Sequence, residues 1–472
     1  MKKAVLVVPH EDDELLVGGA ALVELIRDPE WEVTVVYLTT GDARGKWEGI
    51  LRMNDAQNVL TFLGLDLSHI IYLGYANRWD NDNHIYNEKD KKIITSKAGQ
   101  TETYGSKEDN DYSFVKSKQH NAYMRENIIA DLLSVFSNIM PDLYIVVDMD
   151  EHEDHRAVSL FVDECLCVLL KENKGYQPLV LKRFAYMGNW QGKKDYWDLP
   201  HRKTILEDKL PNPFLDLDEK ISFTVPDDCN TLLLRHNTLY KAAKIYRTQY
   251  VWTRTARFAN DDVCFFRRHT ENRALFASIQ ASSGETQYLN DFKLLDSNCI
   301  KDDRTISYDK GIWRPESRDL EKRIDIIFSE AIKIRQINIY ECSGYNSEIK
   351  SVSFYFDNRK KETVRLKKKE KNRFFFDDRA MNPTQNLRIV IEEYLGDEIG
   401  ISEIEVFDHI IDLEEYDLPF TNHTVSETNR VSLWMRIQML VEKIFFYVKE
   451  YIVRKIVLSK WEMKVRYPNS MV

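Results

Sequence analysis

Short, nearly uninterrupted apolar runs recur along the first third of the chain: Ala4 to Val8, Glu32 to Leu38, Ile70 to Leu73 and Leu143 to Val147. Such runs mark strands covered on both faces. Between them, Leu15 to Arg27 and Arg52 to Leu63 carry the spacing of helices. The alternation predicts an α/β domain with a Rossmann-like open, mostly parallel sheet and helices on both faces. Gly18-Gly19 falls inside the first helical pattern, and no Gly-x-Gly-x-x-Gly opens it, which argues against a nucleotide cofactor.

The pattern changes near residue 276. Ile324–Phe328, Ile332–Tyr340, Val352–Phe356, Phe374–Phe376, Leu387–Ile391 and Ile404–Phe407 are β-prone runs between polar turns, the spacing of an all-β sandwich. A third pattern closes the chain: from Arg430 to Arg466 apolar and aromatic residues recur at helical spacing among nine basic and three acidic side chains. At 472 residues the chain exceeds one ordinary core. The expected division is 1–272 for the α/β domain, 276–410 for the sandwich and 425–472 for a basic amphipathic helical tail. Residues 79–120 are polar and read as a lid, a substrate loop or disorder, with His84 and His120 as solvated surface histidines. The aromatics from Tyr186 to Trp197 fit either a sugar-stacking wall or core packing.

Charge narrows the partners. The net charge of −10 and the lack of a basic patch with interleaved aromatics in the first 400 residues argue against a general nucleic-acid binder. The tail carries +6 and leaves −16 for the remainder. Its uncharged runs fall short of the ~20 residues of a membrane span. It reads as a helix lying on an anionic bilayer, docked on the protein, or paired in a dimer. The apolar run before Pro9 is short for a secretory signal, so the expected location is cytoplasmic, with the tail peripheral at the inner membrane face. Oligomeric state is not legible.

Two polar clusters sit where such a sheet puts its chemistry, at the carboxyl ends of strands. Pro9-His10-Glu11-Asp12-Asp13-Glu14 follows the first run, and His152-Glu153-Asp154-His155 follows Leu143–Val147 and opens an apolar helix. Alone, each is explained by helix capping. Together they make a divalent metal site. Catalytic zinc takes three ligands from His, Asp and Glu and keeps one position for water. His10, one of Asp12 and Asp13, and one of His152 and His155 supply that set. Adjacent residues point different ways, so one aspartate binds metal while the other faces the water. That second carboxylate can take a proton from water whose pKa the metal lowers towards about 7, the chemistry of amide or ester hydrolysis. Cys165, Cys167, Cys229, Cys264, Cys299 and Cys342 offer no paired Cys-x-x-Cys rival.

Residues 9–14 and 152–155 resemble the Pro-His-x-Asp-Asp-Glu and His-x-Asp-His motifs of the PIG-L/LmbE-like zinc-dependent de-N-acetylases. The likeness continues through Leu38-Thr39-Thr40-Gly41-Asp42, the block Arg52 to Gly64 and Leu73-Gly74-Tyr75, within roughly residues 1–270. It implies His10, Asp13 and His155 as ligands of Zn2+ or another divalent ion, and Asp12 as general base. His152 would stabilise the oxyanion or protonate the leaving amine, and Asp154 would orient a histidine. Arg52 is a candidate substrate-binding cation. Asn77 stands where the family often has Asp, and Tyr246 takes the His place in a late motif ending at Gln249; both, with Gln249, are candidate substrate contacts. The implied activity is removal of acetyl from an N-acetylated amino sugar, a lipid- or polymer-linked glycan included. The alternative is a non-catalytic glycan-binding or assembly protein on the same scaffold. Ala281–Gly284, Gly311–Trp313, Ile337–Tyr340 and Ile401–Val406 are similar to discoidin-like, galactose-binding-type modules, for which glycan binding and an architectural role are both open.

Overall fold

The apolar runs form strands, and their order sets the position of everything else. In a computed structural model the described residues are 1–77, 84–106, 111–186, 190–191, 196–197, 205–206, 212–215, 220–296, 311–377, 382–411 and 431–458. Strands β1 (Lys2–Val8), β2 (Trp31–Thr39), β3 (Ile70–Tyr75), β4 (Leu143–Val147) and β5 (Leu179–Arg183) pair in parallel in the order β3-β2-β1-β4-β5. Helices α1 (Gly19–Arg27), α2 (Lys46–Leu63), α3 (Tyr112–Ser117), α4 (Arg125–Ile139) and α5 (Glu153–Glu172) belong to the same domain. The chain leaves β1 towards one edge and returns to β4 on the other side. The crevice beyond the carboxyl ends of β1 and β4 is therefore the switch point at which open α/β sheets bind ligands.

A two-residue ladder, β6 (Trp190–Gln191) with β7 (Ile205–Leu206), precedes β8 (Ile221–Thr224), α6 (Thr238–Ala243) and β9 (Asp262–Arg268). β9 and β8 extend the sheet antiparallel beyond β5. Two departures from the sequence reading appear here. α2 starts six residues before Arg52, because its first turns, Lys46–Leu51, are mostly polar or exposed and carry no apolar stripe. The expected first helix is split, a π turn over Glu14–Gly18 leading into α1, with Gly19 at φ +50°.

The second unit is a sandwich. β10 (Ser278–Ala281), β11 (Arg323–Ile332), β12 (Gln336–Glu341), β13 (Glu348–Phe356), β14 (Arg359–Arg365), β15 (Lys371–Phe375), β16 (Thr384–Leu395) and β17 (Ile401–Phe407) form antiparallel sheets ordered β10-β11-β16-β13-β14 and β15-β12-β17. Alternate residues such as Ile324, Ile326, Ile337, Ile339, Val352, Phe354, Leu387 and Ile389 fill the space between them, with Trp313 fully buried. β14 was not legible as a strand: it is a charged edge, the usual defence of an open sheet margin. The expected run Ile332–Tyr340 is broken between β11 and β12.

The two units are joined by buried polar contacts. Arg268, at the end of β9, donates to the Phe292 carbonyl at 2.7 Å and lies 3.5 Å from Glu405 of β17. The Asn272 side chain accepts from the Val406 amide at 2.8 Å, and at the exposed margin of the junction Arg273 pairs with Asp408.

Helix α7 (Leu433–Ile452), continued by a π turn over Val453–Leu458, docks on the α/β unit. Met439 is buried, and Phe446 packs against Trp197, Tyr240 and Trp252. Glu442 accepts from the Leu234 and Arg235 amides at 2.7 and 2.9 Å and from the Trp197 indole at 3.0 Å. Trp197 is thereby an anchor for the tail and not a sugar-stacking wall. Among the described residues, no helix is long and apolar enough to cross a membrane. Residues 79–83 and 107–110 of the polar segment, and 425–430 and 459–472 of the tail, lie outside the described residues.

Candidate functional site

The switch point brings the two polar clusters together. After β1 the chain turns sharply, with the Asp13 amide donating to the His10 carbonyl and Asp12 at φ +140°. A non-glycine residue held at positive φ costs of order 1–3 kcal/mol and persists where the surroundings enforce it. They do so here: the Asp12 amide donates to Glu14 at 3.0 Å, and the Tyr246 hydroxyl donates to the other oxygen of that carboxyl at 2.6 Å.

The turn sends the adjacent aspartates in different directions. Asp13 Oδ2 lies 3.0 Å from His10 Nδ1 and 3.2 Å from His155 Nε2. Asp12 instead pairs through one oxygen with Arg52 Nη2 and through the other with Arg254 Nη1, each at 3.2 Å. One ring nitrogen from each of His10, His152 and His155 lies within 4.8 Å of the others, and all three side chains are buried.

Each histidine is held from behind. Asp150, at the end of the β4 loop, sits 2.7–2.8 Å from His155 Nδ1 and is itself fixed by the His152, Ala185 and Tyr186 amides. Asp154 bridges His10 Nε2 at 3.0 Å and His84 Nε2 at 2.7 Å. His152 caps α5, its Nδ1 accepting from the Asp154 amide at 3.1 Å. Because Nδ1 accepts, the neutral ring carries its proton on Nε2. The Tyr186 ring packs 4.7 Å from that of His155.

Arg52 is buried. Besides Asp12 it donates to the carbonyls of Gly41 and Glu11 and approaches Glu11 Oε2 at 3.5 Å. Gly41, at φ +60°, has to be glycine for this approach, since a Cβ there would come 2.6 Å from Arg52 Nε and 2.5 Å from Glu11.

Burial and charge set the protonation. Burial pushes Asp12 up, with Arg52 opposing, and the net direction is upward. Asp13 goes the other way: burial opposes ionisation, but His155 and His10 hold it well below the usual carboxylate range. Asp154 is likewise held low by hydrogen bonds from His10 and His84 against the effect of burial. Burial, reinforced by His10 and His155, pulls His152 well below its ordinary value, so this ring is neutral. Glu11 and Glu14 are pushed up to about 8, chiefly by burial.

The structure thus gathers His10, Asp12, Asp13, His152, Asp154, His155 and Arg52. Tyr246 is fully buried against Glu14, so it supports the turn and offers no surface to a substrate. Asn77 is buried with its backbone N–H on Asp42, and Gln249 lies half-buried in a turn after α6. Asp150 and Arg254 were missed, and Tyr186, read as part of a wall or core, packs on His155. An Asp two residues before the second motif was a usable signal for Asp150; Arg254, 242 positions from its partner, gave none. His84 is the clearest correction: it is buried on Asp154 and not solvated. His120 pairs with Asp111 away from the cluster.

No curated protein matches the chain. Among solved structures, similarity is found to the family 32 CBM of C. perfringens NanJ in complex with galactose, at 16% identity over 28% of this chain and 95% of that one, with a TM-score of 0.23. The chitosan-binding module 1 of a Paenibacillus sp. IK-5 chitosanase/glucanase is similar at 14% identity over 29% and 98%, with a TM-score of 0.22. Residues 5–166, which supply every histidine and aspartate that converges at the switch point, match the family model described as PIG-L: GlcNAc-PI de-N-acetylase.

Proposed function

We propose that this protein is a zinc-dependent amide hydrolase that removes acetyl from an N-acetylated amino sugar carried on a lipid- or polymer-linked glycan. The observation that carries the reading is the split of the aspartate pair, Asp13 among the imidazoles and Asp12 beside them on two arginines. The donor set suits the metal. His155 Nε2 is a buried atom with no hydrogen-bond partner although Asp13 lies 3.2 Å away, as expected of a lone pair directed at a cation. Two imidazoles and a carboxylate are a catalytic zinc set with one position left for water. His10, Asp13 and His155 would hold the ion, their orientation kept by Asp154 and Asp150.

A zinc ion bound there supplies Lewis acidity and acidified water. The protein supplies the rest. Asp12 accepts the proton of the attacking water, and its raised pKa makes it a stronger base than an ordinary carboxylate. Arg52 and Arg254 fix its direction. His152, neutral and protonated on Nε2, donates a hydrogen bond to the developing oxyanion, and the proton that Asp12 took from water passes on to the leaving amine.

The test is acetate release from a panel of N-acetylated sugars and lipid-linked glycans, with metal content measured on the same preparation. Stoichiometric zinc and turnover abolished in Asp12→Asn support the enzyme. Protein that takes up no divalent ion and releases no acetate would leave the glycan-binding alternative.

A further inference from the structure

Helix α7 presents two faces, and docking uses only one. Met439, Glu442 and Phe446 face the α/β unit. At 100° per residue the opposite arc contains Trp434, Ile437, Val441, Ile444, Phe445 and Val448, all exposed, Trp434 at 67% and Phe445 at 72%. No charged side chain of the helix falls within that arc. The cations stand at its margins: Arg436 and Lys443 on one side, and on the other Lys449, its ammonium 4.8 Å from the Trp252 ring; Arg454 pairs with Glu450. An apolar strip this long is rare on a protein surface left to water.

From this arrangement we infer that the outer face of α7 lies in the headgroup region of an anionic lipid bilayer, with the helix parallel to the membrane plane and the catalytic domain carried on its inner face. Charge selects this occupant. A second copy joined through the same face would bring two basic margins together, whereas anionic headgroups neutralise them. The helix is about 30 Å long at 1.5 Å per residue, so it can lie along the surface with both margins at headgroup depth. The rest of the chain carries a negative balance and is repelled by the same surface, so adsorption depends on the helix and not on general charge.

The experiment is flotation of the full chain with vesicles of phosphatidylglycerol and phosphatidylcholine in equal parts, against phosphatidylcholine alone. Arg436 and Lys443, each strengthening binding roughly fivefold, give a preference of about twenty-five-fold for the anionic vesicles, which falls with added salt. Trp434 emission shifts to the blue on binding. Ile444→Glu with Phe445→Glu abolishes flotation while the melting temperature stays within a few degrees of the parent, since both side chains are already exposed. Arg436→Gln with Lys443→Gln, which leaves the apolar arc intact, lowers the anionic preference roughly twentyfivefold on the same scale. Equal flotation of parent and double-Glu protein overturns the inference, as does flotation indifferent to lipid charge. A dimer in light scattering that the double-Glu change dissociates, without flotation of the parent, assigns the face to a second copy.

Discussion

Replacing Asp12 by Asn separates metal binding from catalysis. The substitution keeps shape and volume, so Asn meets the turn at φ +140° with no more strain than the native Asp. The metal set is untouched, because the Asp12 oxygens face Arg52 and Arg254 while Asp13 faces the imidazoles. The effect on stability is small. Arg52 retains the carbonyls of Gly41 and Glu11, and Arg254, 32% exposed, is largely solvated, so about 1–2 kcal/mol is the expected loss. The effect on turnover is large: a general base contributes about 10²–10⁴-fold, or roughly 3–5 kcal/mol of barrier. The assay is kcat for acetate release, with zinc per chain measured by emission spectrometry and the fold followed by thermal melting. Unchanged zinc with kcat lowered at least a hundredfold is the expected result. Turnover within threefold of the parent at full zinc occupancy refutes the role of Asp12, and loss of zinc refutes the assignment of the two aspartates.

Three further outcomes follow from the same contacts. His84→Ala removes one of the two hydrogen bonds on Asp154 and should weaken zinc binding about 10–100-fold, read by competition with a chelator; an unchanged affinity would make His84 a packing residue only. Metal-free protein should lose stability with rising pH, because buried Glu14 keeps its proton up to about 8 when folded but only to about 4.5 when unfolded. Its stabilising contribution is complete below the lower value and is lost as pH rises through the upper one. Glu14→Gln, neutral throughout and still bonded to Tyr246, should show a shallower decline in melts across that window; identical slopes would count against the protonated carboxyl. Glu442→Ala leaves two backbone amides and the Trp197 indole without their acceptor, a cost of about 1–3 kcal/mol at the dock, which should appear as faster hydrogen exchange in α7.

The sheet was legible because strands buried on both faces have to be apolar throughout, and the sandwich because its strands alternate. The core of the site was legible for a related reason: His10 to Asp13 and His152 to His155 follow directly on strands whose ends are fixed by that pattern. What escaped reading depends on partners far off in the chain. His84 sits in a polar stretch and becomes buried only against Asp154, 70 positions later. Tyr246 looked like a site residue because it fills a motif position, yet its hydroxyl is committed to Glu14 across 232 positions. The tail could be seen as a helix, but not which way it faced. It is apolar on both sides, and the docked side is chosen by Glu442, whose three donors come from residues 197, 234 and 235.

Arg268 terminates the last strand of the α/β unit, yet its guanidinium reaches the Phe292 carbonyl and Glu405 on the far side of the junction. Recombination that exchanged this sandwich for an unrelated one would strand a buried cation. The two halves are therefore heritable as a pair, and any chimera intended to retarget the protein would need a crossover point other than the short stretch between Arg268 and Ser278.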